Sequence, residues 1–123
     1  MGRKIVHVEF PAQDADRAQR FWEGFGGWQL SIPQGMEEFG YRMFQDDGWG
    51  GAVYPSQEGE KGPIIYFSGD DIDADIAQVR SLGGEADDKM PIPRVGWFAR
   101  CKDPEGNPFS LFQADESVPL PTG

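Results

Sequence analysis

Two stretches of the chain carry apolar residues at helical spacing. In "DADRAQRFWEGFGG", residues 14–27, Ala15, Ala18, Phe21, Trp22 and Phe25 recur with the period of one helix face. In "DIDADIAQVRSLGG", residues 71–84, Ile72, Ile76, Val79 and Leu82 do the same. Each stretch opens on Asp-x-Asp, whose carboxylates suit the first turn of a helix. Each closes on Gly-Gly, which supplies a left-handed stop. The spacing predicts two amphipathic helices, with Trp22, Phe25 and Trp28 in the core.

The flanking runs alternate like strands and repeat at the same offset of 57 residues, from Asp14 to Asp71. "KIVHVEF" (4–10) falls on "KGPIIYF" (61–67), and "EFGYRMFQDDG" (38–48) falls on "VGWFARCKDPEG" (95–106). "GGAVYP" (50–55) and "NPFSLF" (107–112) add a last strand to each half, while "WQLSIP" and "EADDKMPIP" read as short edge strands. Each half is then β-α-β-β-β. The chain reads as one α+β domain over 1–123: module one at 4–55, a polar linker at 56–62, module two at 63–113 and a loose tail at 114–123. Neither half alone has enough residues for a stable core, so the modules pair within one chain or by exchange between two.

Strand alternation separates the faces. If Val6, Val8 and Phe10 pack under a helix, then Ile5, His7 and Glu9 point the other way. By the repeat, Ile64, Tyr66, Ser68, Ser110 and Phe112 share that orientation. Packing of Ala99 and Cys101 turns Phe98 and Arg100 to the same side, and Tyr41 and Met43 are their counterparts. The result is an aromatic surface with a few polar groups, the usual make-up of a small-molecule site. His7, the one histidine, stands near Glu9 and suits either a general base or a satisfied polar pair. Arg100 suits a substrate carboxylate or a bridge across an acidic surface.

Composition narrows the partners. The 11 basic and 21 acidic residues give a net charge of −10, which disfavours nucleic acid and anionic membranes and suits a cationic ligand. Cys101 stands alone, so there is no disulfide framework, and it reads as a small core residue. No apolar run has membrane-spanning length and no signal-like segment opens the chain, so a cytoplasmic protein is expected. Asp71, Asp73 and Asp75 mimic the start of a calcium loop, but Leu82 stands at its twelfth position.

"IVHVEFPAQDADRAQRFWEGFGGW" and the Asp-Pro-x-Gly turn of "DPEGNPFSLFQ" (103–113) resemble the vicinal oxygen chelate superfamily. That group holds glyoxalases, bleomycin- and fosfomycin-resistance proteins and extradiol dioxygenases. Within it, the chain is most similar to bacterial proteins related to lactoylglutathione lyase. The resemblance implies curved mixed sheets around a cleft, commonly in a homodimer. It also implies divalent-metal ligands on the first and last strand of each module. Those positions read His7, Ile64, Ser110 and either Val53 or Ala52, so His7 is the one strong candidate ligand and no metal cofactor is expected. The activity implied is metal-independent proton transfer, of isomerase or lyase type, on a small oxygenated molecule. His7 would be the base, oriented by Glu9, with Arg100 and Ser110 holding substrate and Tyr41, Met43, Tyr66, Ser68, Phe98 and Phe112 lining the site. The alternative is a non-catalytic drug binder of the bleomycin-resistance type.

Overall fold

A computed structural model describes residues 2–120, and the chain divides into two compact units. Val6–Ile64 forms one, and the residues on either side of it form the other. Each is α+β. Among the described residues no helix is long and apolar enough to cross a membrane.

The first unit holds β1 (Ile5–Ala12) from Val6 onward, α1 (Ala15–Gly26), β2 (Arg42–Asp46) and β3 (Trp49–Pro55). Strand β3 is the middle of a mixed sheet, parallel to β1 and antiparallel to β2. A parallel neighbour demands a crossover, and α1 lies within it. Asp14 caps that helix by accepting from the Arg17 amide at 3.0 Å, and Gly27 ends it at φ 81°, a left-handed conformation that glycine adopts without strain. Leu30, Phe44 and Val53 form the buried core, covered by Ala15, Ala18 and Trp22 of the helix. Phe10 stacks on Trp22, and Trp28 on Phe44, both at 4.2 Å between ring centres.

Phe25 departs from the expected pattern. It is 79% exposed and stacks on Phe21, which is 58% exposed. Ala15, Ala18 and Trp22 are the residues that face the sheet, which leaves Phe21 and Phe25 one flank further round the helix. "WQLSIP" contributes one bridge, between Ser31 and Met43. Pro33 follows two residues on and has no amide to continue the pairing. A single 3-10 turn at Glu37–Phe39 comes next, so the strand expected from residue 38 starts at Arg42.

The second unit holds β4 (Ile64–Ser68) from Ile65 onward, α2 (Ile72–Ser81), β5 (Glu85–Ala86), β6 (Met90–Ile92), β7 (Gly96–Lys102) and β8 (Pro108–Ala114). Strand β8 lies between β4, parallel, and β7, antiparallel, and the short β5 and β6 both pair with β7. Ile72 and Ile76 of α2 pack on Ala99, Cys101 and Leu111. The helix stops at Ser81, which leaves Leu82 72% exposed rather than on the core face. The three aspartates are spent locally: Asp71 caps α2, Asp73 pairs with Lys89 and Asp75 with Arg3. The segment after β8, expected to be loose, is tied down as far as Val118. Asp115 donates to the Val95 carbonyl, Arg94 donates to that of Val118, and the Val118 side chain is buried. Residues 121–123 lie outside the described residues.

Gly51 on β3 has no room for a side chain. A Cβ there would stand 2.5 Å from the Phe44 ring and 2.7 Å from the Val8 carbonyl oxygen. Gly51→Ala is therefore expected to cost about 1–3 kcal/mol through overpacking. Gly24→Ala, in open space on α1, should instead stabilise by about 0.5–1 kcal/mol through helix propensity. Urea denaturation midpoints check both, and a neutral Gly51→Ala would contradict the packing described.

Candidate functional site

In the first unit, register decides which side chains share a face. Glu9 pairs with Ala52, and Ala52 with Met43. The alternate pair, Phe10 and Val53, packs toward α1. His7, Glu9 and Met43 thus occupy the face turned away from the helix. Tyr41 stands one residue before β2 and brings its hydroxyl 2.8 Å from His7 Nε2. The same hydroxyl donates a short hydrogen bond to Glu9 Oε2. His7 and Glu9 approach each other only to 3.8 Å, beyond hydrogen-bond range, so Tyr41 joins the pair. Glu9 is 5% exposed. Burial lowers the His7 pKa from its ordinary 6.5 to about 4, because a desolvated imidazolium is disfavoured. At neutral pH His7 is an uncharged imidazole.

The second unit arranges its own set in the same way. Phe98 lies opposite Phe112 and Arg100 opposite Ser110, while Tyr66 and Ser68 align with Ser110 and Phe112. All six are on the face opposite Ala99, Cys101 and Leu111, which pack with α2. Ser110 and Tyr66 are buried and Arg100 is exposed. Cys101 is buried as well. Desolvation and the charge of Asp87 push its thiol up to about 11, so it holds no nucleophilic thiolate at neutral pH.

By sequence Tyr41 is a lining residue and His7 pairs with Glu9 directly. The linking role of Tyr41 was invisible because the residue is 34 positions from His7 and outside any regular strand. Its place in the repeat, as the counterpart of Phe98, was the one signal pointing to this face.

The same registers test the metal positions. Glu9 and Tyr66 are counterparts at the repeat offset, Glu9 pairs with Ala52, and Tyr66 pairs with Ser110. Ala52 is therefore the counterpart of Ser110, and Val53 belongs to the core. The four positions are His7, Ala52, Ile64 and Ser110. One imidazole, one hydroxyl and two aliphatic groups do not fit a divalent cation. Among the described residues no group of three or more His, Cys, Asp or Glu side chains could hold a metal ion.

A family model for a glyoxalase-like domain matches residues 6–112. Two curated relatives, each named "Putative glyoxylase CFP32", come from Mycobacterium bovis and Mycobacterium tuberculosis. Each is 32% identical over 113 residues, covering 89% of this chain and 43% of theirs. The chain thus spans less than half the length of the curated relatives it matches. Among solved structures, a hypothetical protein from Bacillus halodurans superposes with a TM-score of 0.73 at 14% identity, over 98% of this chain and 100% of that one. A Streptomyces coelicolor methylmalonyl-CoA epimerase variant, in complex with 2-nitronate-propionyl-CoA, gives 0.65 at 21% identity over 97% and 99%. The methylmalonyl-CoA epimerase of Mycobacterium tuberculosis gives 0.63 at 16% identity over 95% and 88%. At these identities the structures establish a shared fold.

The His7 shift has a stability consequence. Its pKa is lower folded than unfolded, so protonation favours unfolding. The contribution is complete above about pH 6.5 and is lost as pH falls toward 4. Between pH 7.5 and 4.5 the wild type should lose about 2–3 kcal/mol more than His7→Gln, measured by urea unfolding. Equal acid losses in the two proteins would contradict the shift.

Proposed function

The chain belongs to the glyoxalase-like family of the vicinal oxygen chelate superfamily, and we propose that it transfers a proton on a small oxygenated molecule without a metal. The substrate class is a carbon acid with its C–H beside a carbonyl or thioester, and the outcome is isomerisation or lyase chemistry. The hydrogen-bonded chain His7–Tyr41–Glu9 carries this reading. His7 accepts the proton, and the Glu9 carboxylate, acting through the Tyr41 hydroxyl, stabilises the imidazolium that forms. In its resting state His7 is a weak base; negative charge developing on a neighbouring substrate raises its proton affinity. Metal-using relatives place a cation against the enolate-like charge. Within the second unit, Arg100 and Ser110, opposite one another on β7 and β8, suit a carbonyl or carboxylate oxygen. The structural neighbours named methylmalonyl-CoA epimerase support the substrate class, since methylmalonyl-CoA is a carbon acid of this kind. The working form is taken to be a cytoplasmic homodimer with no nucleic-acid partner.

A second reading is a non-catalytic binder of the bleomycin-resistance type. The aromatic set Tyr66, Phe98 and Phe112 and the net charge of −10 favour an aromatic cation in that case.

Solvent-deuterium incorporation, followed by mass spectrometry with a panel of 2-oxo acids, hemithioacetals and acyl thioesters, tests the reading. Exchange into at least one substrate is expected, insensitive to chelator and about 100-fold slower or more in His7→Ala. Wild-type exchange in that variant removes His7 as the base, and capture without exchange supports the binder. Stoichiometric metal in elemental analysis would overturn the metal-independent mechanism.

A further inference from the structure

We infer that Gln45 is a hydrogen-bond donor to the substrate's carbonyl oxygen, set beside His7 on the same sheet face. This rests on the reading of His7 as base and adds a group that holds the charge the base creates. A glycine makes room for it. In register, Gln45 of β2 pairs with Gly50 of β3, and Gly50 pairs with His7 of β1. Two-residue alternation puts Gln45 with Met43, Gly50 with Ala52 and His7 with Glu9, all on the face turned away from α1. Gly50 brings no side chain to that row, yet it is buried. The Gln45 amide lies across it, with Nε2 and Oε1 each 3.1 Å from where a Cβ would stand. Adjacent strands are about 4.8 Å apart, so the amide occupies the strand position next to His7. Gln45 is itself exposed, and among the described residues its side chain has no hydrogen-bond partner. A side-chain amide carries two N–H donors and does not ionise. As His7 takes the proton from carbon, the C–H electron pair becomes the C=C bond of an enolate and the charge moves to the adjacent oxygen. A base and an N–H donor on neighbouring strands match those neighbouring atoms. Return of the proton to carbon restores the carbonyl, so no other reactant is consumed.

Gln45→Leu removes the donor, and Gln45→Glu does so with the shape of the side chain kept. Both change an exposed side chain, so native urea midpoints are expected and serve as the check on folding. In solvent-deuterium exchange on 2-oxo acids, hemithioacetals and acyl thioesters, each variant should lower kcat about 100-fold with little change in KM. A folded Gln45→Leu with wild-type kcat overturns this inference, as does a loss confined to KM. Exchange lost in His7→Ala but kept in Gln45→Leu leaves the base reading standing and removes the donor. Exchange lost in Gln45→Leu but kept in His7→Ala upholds the donor and removes the base. A wild type that exchanges none of these carbon acids removes both.

Discussion

The strict two-residue alternation of a pleated strand governs this molecule more than any single contact. On β1 it sends Phe10 to Trp22 of α1 and His7 and Glu9 to the opposite face. On β7 and β8 it sends Ala99, Cys101 and Leu111 under α2 and Phe98, Arg100, Ser110 and Phe112 away from it. A slip of one residue would bury a carboxylate against tryptophan and expose the core. The sheet's registers and the chemistry of its polar face are therefore one constraint. Apolar burial under each helix, at about 25 cal/mol per Å² of buried surface, holds the polar residues where they stand.

Much of this was legible from patterning. Both helices, the Asp caps and every long strand followed from spacing, because alternation and helical period are local properties. The failures were of two physical kinds. Phe25 and Leu82 have the right spacing for a buried face but lie at a flank and beyond a helix end, where burial depends on what packs opposite. The tail as far as Val118 is held by Arg94, a partner distant in sequence, and the edge strand expected around Ser31 is cut to one bridge with Met43 by Pro33.

The candidate site divides along the same line. The face of each proposed residue could be read from period two, and the registers then distinguish Ala52 from Val53 at the fourth family ligand position. The link through Tyr41 could not be read. A hydroxyl that reaches two strand residues from a turn depends on the path of the chain between them. That path is shaped by Pro33, the 3-10 turn and Gly40 at φ 65°, none of which has a periodic signature.

The N-terminal arm gives the chain an interleaved order. Residues up to Ile5 belong with Ile65 onward: Lys4 accepts the Ser68 amide at 2.9 Å, and Arg3 reaches Asp75 and Gln78. The second unit is discontinuous in sequence, assembled from both ends of the chain, whereas the first is one uninterrupted insert. During synthesis the second unit would stay incomplete until its late strands emerged, with its first few residues waiting throughout.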